Sequence, residues 1–150
     1  HVQFVGYQSQ EAVCEFLQNS DVFVLPSFAE GLPVALMEAL AAGVPVVTTA
    51  IAGIGELVEH GINGYLVPPG AVEPLATALD TLLQDASVRQ QLGHAGRLKV
   101  EQEFNLLQEV AWLQRLFISN RQGLAQPIRP ALPHAEPAES AEPSRIQPTR

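Results

Sequence analysis

A chain of 150 residues with 47% hydrophobic content has room for one domain with a sizeable core. Its formal net charge is -8 and every Lys or Arg lies at or beyond Arg89, a distribution that disfavours nucleic acid as a partner. Cys14 is the only cysteine, which excludes an internal disulfide and any multi-cysteine metal site, and reads as a small buried thiol in a reducing compartment.

In chain order, Val2-Gln3-Phe4-Val5 is a short strand-like run ending at Gly6, which reads as a start in mid-domain with no signal peptide expected. Residues 11–17 carry Val13, Phe16 and Leu17 at helical spacing, and Asp21-Val22-Phe23-Val24-Leu25 is a second strand. Residues 33–42 are rich in Ala and Leu, with Pro33 at the first helical position and Gly43 at the stop, before the apolar strand Val44-Pro45-Val46-Val47. The apolar stretch 39–55 is broken by Gly43, Pro45, Thr48 and Thr49, and falls short of the ~20 residues that a membrane-spanning helix needs.

A short helix is expected over 55–60 and a strand at Gly64-Tyr65-Leu66-Val67. An amphipathic helix follows over 72–83, with Leu75, Ala76, Leu79, Leu82 and Leu83 on one face, then two more over 87–103 and 106–120. Continuous apolar strands alternating with amphipathic helices indicate an α/β fold: a parallel sheet flanked by helices, because parallel strands need crossover connections. The expected domain covers 1–121. From 122 to 150, prolines fall among Ala, Glu, Gln and Ser with little to bury, which reads as a disordered tail.

The segment from Pro26 to Ala39 joins a strand end to the first turns of a helix, the edge at which open α/β sheets bind ligands. Glu30 sits in the loop and Glu38 inside the helix. Between them Gly31 permits close backbone approach, and the amides of Val34 and Ala35 at the helix start suit a phosphate. A polar group, a diphosphate and a vicinal diol in a row would satisfy this layout, as in a nucleoside diphosphate sugar. Taken singly, Glu30 also reads as a solvated loop residue and Glu38 as an acid near the helix dipole.

The pattern Ser27-x-x-Glu30-Gly31-x-Pro33-x-x-x-x-Glu38-Ala39 resembles the E-x7-E motif of retaining GT-B glycosyltransferases of family 4. Phe4-Val5-Gly6, the run from Asp21 to Ser27, the run from Ala42 to Val47, Gly55-Glu56-Leu57-Val58 and Gly61-x-x-Gly64-Tyr65-Leu66-Val67-Pro68 follow the order of that family's C-terminal domain. The resemblance implies a Rossmann-like, N-terminally incomplete donor-binding domain, in which Glu30 contacts the transferred sugar as the catalytic residue. Gly31, Leu32, Val34 and Ala35 would hold sugar and diphosphate, and Glu38 would bind the ribose hydroxyls. It implies hexosyl transfer to a glycan or glycoconjugate with retention, in polysaccharide biosynthesis, from a nucleoside diphosphate sugar that is a UDP-sugar by default.

No cofactor and no metal are expected; His1, His60, His94 and His134 are scattered without ligand spacing. Where relatives commonly place Pro before the Glu of the segment here read as Gly55-Glu56, this chain has Gly55, which loosens the turn. The family's diphosphate-neutralising Arg and Lys, and the domain that receives a glycan or lipid-linked acceptor, lie upstream of Val2, so the chain alone is expected to be inactive. The expected location is the cytoplasm, with peripheral contact at the inner face of the membrane, and self-association is expected through an exposed sheet edge near Val2. Two rival readings are a catalytically inactive nucleotide-sugar-binding or subunit-completing domain, and a generic α/β interaction domain.

Overall fold

The computed structural model describes residues 1–124. The chain divides into two units, 1–106 and 107–150. The first holds a three-stranded parallel sheet of order β1-β2-β3, formed by β1 (Phe23–Leu25), β2 (Val46–Thr49) and β3 (Gly64–Val67). Phe23 pairs with Val46 and Leu25 with Thr48; Val46 pairs with Gly64 and Thr49 with Val67. The helices are α1 (Gln10–Gln18), α2 (Val34–Ala41), α3 (Ile54–Leu57), α4 (Val72–Gln84) and α5 (Ala86–Glu103), while α6 (Leu106–Arg121) falls mostly in the second unit. The fold is therefore the expected α/β arrangement, a parallel sheet flanked by helices. No helix among the described residues is long and apolar enough to cross a membrane.

All four residues of β2 are buried, as a central parallel strand requires, and its two valines join two different hydrophobic clusters. Val46 packs with Leu17, Leu36, Ala39, Leu40, Ile54, Leu57 and Val58. Val47 packs with Val67, Ala78, Leu82 and Leu92. Helix α5 serves both, giving Leu92 to the second and packing Val100, with Phe104 at its C-cap, on the first.

α2 ends as its sequence dictates. Gly43 takes φ +77, its amide donates to the Leu40 carbonyl at 2.9 Å, and the Val44 amide donates to the Ala39 carbonyl at 3.0 Å. That is a Schellman stop, and it turns the chain sharply into β2. α5 lies against this turn without a side chain between: a Cβ on Gly93 would stand 2.1 Å from the Gly43 carbonyl oxygen. Asn63, 1% exposed, fastens the return from α3 by accepting from the Glu59 amide at 2.7 Å and donating to the Leu57 carbonyl at 3.0 Å.

Several sequence expectations are corrected. Residues 2–5 form no strand: no neighbour offers them a ladder, and Val2 and Phe4 are exposed. The expected sheet edge near Val2 is therefore absent, and the unpaired flanks of the sheet in unit 1–106 belong to β1 and β3. Pro33 caps α2 with extended backbone (φ -72, ψ 123) instead of opening its first turn. Cys14 is exposed, because α1 turns Val13 and Leu17 inward and carries Cys14 and Phe16 toward solvent. On α4 the buried stripe is Leu75, Ala78, Leu79 and Leu82, with Leu83 62% exposed and Ala76 also outside it. The short helix α3 begins at Ile54 and stops at Leu57, three residues before the expected end. Of the expected tail, 125–150 lies outside the described residues.

Candidate functional site

The segment 26–33 leaves the carboxyl end of β1 and delivers the chain to α2. Ladder pairing with β2 stops at Leu25, so what holds the segment beyond it is side-chain chemistry. Thr48 Oγ1 donates to the Leu25 carbonyl at 2.9 Å, and Thr49 Oγ1 donates to the Ser27 carbonyl at 2.6 Å. Ser27 Oγ in turn donates to Glu30 Oε1 at 2.8 Å. Glu30 is half-buried, and this bond fixes one of its oxygens. Gly31 runs close to the turn after β2: its carbonyl oxygen is 3.2 Å from where a Cβ on Gly53 would stand. Phe28 covers Gly70 across the loop, its ring 3.5 Å from a would-be Cβ there.

Leu32, Val34 and Ala35 are exposed, as is Gly31. Pro33 supplies a carbonyl that accepts from Leu36 at 3.1 Å and from Met37 at 3.3 Å. The amides of Val34 and Ala35 precede these bonds and have no preceding helical carbonyl within reach, so the helix start presents them outward with its positive dipole end.

Glu38 lies four residues past Val34, ~6 Å along the helix axis. It is half-buried, and its Oε1 accepts from Gln10 Nε2 at 2.5 Å. The N-terminal turn of α1, capped by Ser9, which accepts from the Ala12 amide at 3.3 Å, thus holds this carboxylate. Glu38 lines a cleft of about 510 Å³ between α1, α2 and α5 with Val13, Cys14 and Arg97. Residues 30–35 do not line that cleft. A second, smaller cavity of about 150 Å³ lies at the carboxyl ends of all three strands, lined by Phe28, Thr49, Val67, Pro68 and Leu75 among others.

The fold therefore places every expected site residue on one strand-loop-helix passage. Glu30 and the amides sit at its loop end, and Glu38 sits one turn further into the helix. The sequence alone does not reveal Gln10 and Ser27 as partners of the two carboxylates, nor Thr49 as the partner of Ser27. Two consecutive threonines ending an otherwise apolar buried strand were the available signal for one of them. The absence of cations before Arg89 also proves less complete in space, because Arg97 reaches the Glu38 cleft while bonding Glu101 at 2.8 Å. Among the described residues no group of three or more His, Cys, Asp or Glu side chains could hold a metal ion.

Residues 1–99 match the family model described as glycosyl transferases group 1. The amylovoran biosynthesis glycosyltransferase AmsK of Erwinia amylovora is 42% identical over 126 residues, covering 80% of this chain and 30% of that protein. Among solved structures, Anabaena HepE in complex with UDP-glucose superposes with a TM-score of 0.69 at 28% identity, over 75% of this chain and 31% of that one. The C-terminal domain of a glycosyl transferase group 1 family protein, LpcC of Francisella tularensis, superposes with a TM-score of 0.61 at 25% identity, over 70% of this chain and 53% of that one.

Proposed function

The chain belongs to the glycosyl transferases group 1 family, and from that premise we propose that residues 1–121 are the donor-binding, C-terminal part of a retaining GT-B glycosyltransferase of family 4. The donor is a nucleoside diphosphate sugar, with UDP as the nucleotide, and the group transferred is a hexosyl unit. The observation that carries this reading is the passage from β1 to α2. It presents a fixed carboxylate, a row of outward amides at a helix start and a second fixed carboxylate, in the order of sugar, diphosphate and ribose.

Glu38, held by Gln10 through Oε1, offers its other oxygen to the ribose hydroxyls. A helix-borne, bonded carboxylate is suited to that task because its rotamer is already restricted. The amides of Gly31, Leu32, Val34 and Ala35 face the sugar and diphosphate, and Glu30 meets the hydroxyls of the transferred sugar. In front-face retention the departing diphosphate takes the acceptor proton, so the work of these residues is positioning and charge stabilisation. The UDP-glucose complex of the structural neighbour HepE supports a UDP-sugar donor.

The chain spans 30% of the length of AmsK, so glycan or lipid-linked acceptor binding, and activity itself, are assigned to polypeptide outside it. The lack of any Lys or Arg in residues 1–88 supports the same division, since a diphosphate clamp ordinarily uses such side chains. Work at the cytoplasmic face of a membrane, by peripheral contact, fits this assignment. Calorimetric titration of the chain with UDP-, GDP- and ADP-sugars tests the reading: saturable binding of one nucleotide, lost in Glu38→Ala, supports it. Binding that Glu38→Ala leaves intact removes it.

A further inference from the structure

We propose that Thr49 is a positioning residue for Glu30, acting through Ser27 across the gap between β2 and the loop after β1. The inference rests on the reading of Glu30 as the carboxylate that meets the transferred sugar. Thr48 and Thr49 are 0% and 2% exposed and continue the apolar pair Val46-Val47. A valine would fill either position with the same shape and no hydroxyl to satisfy. A buried hydroxyl destabilises unless it is bonded, so a hydroxyl in such a place points to the bond it makes.

For Thr48 that bond reaches Leu25, which the sheet already pairs with it. For Thr49 the bond reaches Ser27, two residues beyond the last ladder pair, at 2.6 Å. It is the interaction that extends sheet order into the loop. Ser27, held by its carbonyl, spends its hydroxyl proton on Glu30 Oε1 at 2.8 Å. Glu30 Oε2 accepts no hydrogen bond among the described residues, so the relay leaves one oxygen in a set direction. Glu38 is served by a separate contact from α1 and takes no part in the relay.

This separation supplies the test. The probes are UDP, which engages the Glu38 end, and UDP-glucose, whose added affinity over UDP reports the sugar contact. Each is titrated into the full chain and into Thr49→Val, Thr49→Ser, Ser27→Ala, Glu30→Gln and Glu38→Ala. Thr49→Val and Ser27→Ala are expected to lose about tenfold in UDP-glucose affinity, as Glu30→Gln does, while UDP affinity stays within about twofold, because one charge-assisted contact is mispositioned. Thr49→Ser, which keeps the hydroxyl, restores the sugar contact.

If Glu30→Gln loses the sugar contact and both Thr49→Val and Ser27→Ala keep it, the relay is wrong and the donor-site reading stands. If Thr49→Val weakens UDP as much as UDP-glucose, Thr49 is a fold residue and the proposal falls. If UDP-glucose binds no better than UDP to the unaltered chain, or UDP binding survives Glu38→Ala, the donor-site reading fails and takes the proposal with it.

Discussion

The helix that carries Glu38 is held in place by a contact that admits no side chain. A methyl group at Gly93 would stand 2.1 Å from the Gly43 carbonyl oxygen, about 1.3 Å inside the 3.4 Å at which ordinary contact begins. The Gly43 carbonyl cannot swing away cheaply, because the φ of +77 at that residue and the Schellman bonds on either side fix the turn. Gly93→Ala must therefore push α5 off the end of α2, and overpacking of this kind costs about 1–3 kcal/mol. Better helix propensity returns about 0.5–1 kcal/mol. With a clash against backbone, the upper part of the cost range applies, and a net loss of about 2 kcal/mol is expected. Gly96→Ala is the control: its methyl would meet Leu40 Cδ2 at 2.4 Å, the end of a flexible side chain, so repacking relieves part of the strain. Urea denaturation followed by far-UV circular dichroism measures both. A Gly93→Ala variant within about 0.5 kcal/mol of the parent, the range of ordinary surface substitutions, would refute the packing argument.

Gly55 sits in α3 with negative φ and nothing within 4 Å of a would-be Cβ, so Gly55→Ala should stabilise by about 0.4–1 kcal/mol in the same urea titration. Lys99 bonds Glu59 at 2.8 Å and Glu103 at 3.1 Å. Burial lowers the pKa of its ammonium, but the hydrogen bonds and charges of Glu59 and Glu103 outweigh this and raise it above the ordinary 10.5. A raised folded-state value means that the stabilisation is complete below the unfolded value and disappears as pH rises through the folded one. The stability difference between the parent and Lys99→Met should thus be level from pH 7 to 9 and shrink only above about 10.5. The open flank of β1, where Val24 is 37% exposed, should make the chain self-associate as concentration rises. Sedimentation should show less association in Val24→Lys, and equal association in the two proteins would place the contact elsewhere.

The longer helices and strand β3 were legible because their signals are local, whereas β2 lies two residues beyond its expected span of 44–47. β3 spans 64–67 as read, α4, α5 and α6 fall within one residue of their expected ends, and Gly43 stops α2. Residues 2–5 carry the composition of a strand, but strand formation depends on a neighbouring ladder that composition does not reveal. Cys14 and Leu83 were misplaced for a related reason. Both lie beside the buried stripe of their helices, where a rotation of one residue, 100°, separates core from solvent. The two carboxylates were found through the resemblance of their motif. Gln10 lies 28 positions from its partner Glu38, Ser27 lies 3 from Glu30, and Thr49 lies 22 from the Ser27 whose carbonyl it bonds, so only the fold brings the distant pairs together.

The most direct measurement of the donor site is an amide-resolved magnetic resonance titration of the chain with UDP-glucose. Saturable shifts at Gly31, Leu32, Val34 and Ala35, with a second group around Glu38 and Gln10, are the expected result. Shifts confined to the cavity beside Phe28 and Gly70, or saturation with no change at the start of α2, would contradict the assignment of that helix end to the diphosphate.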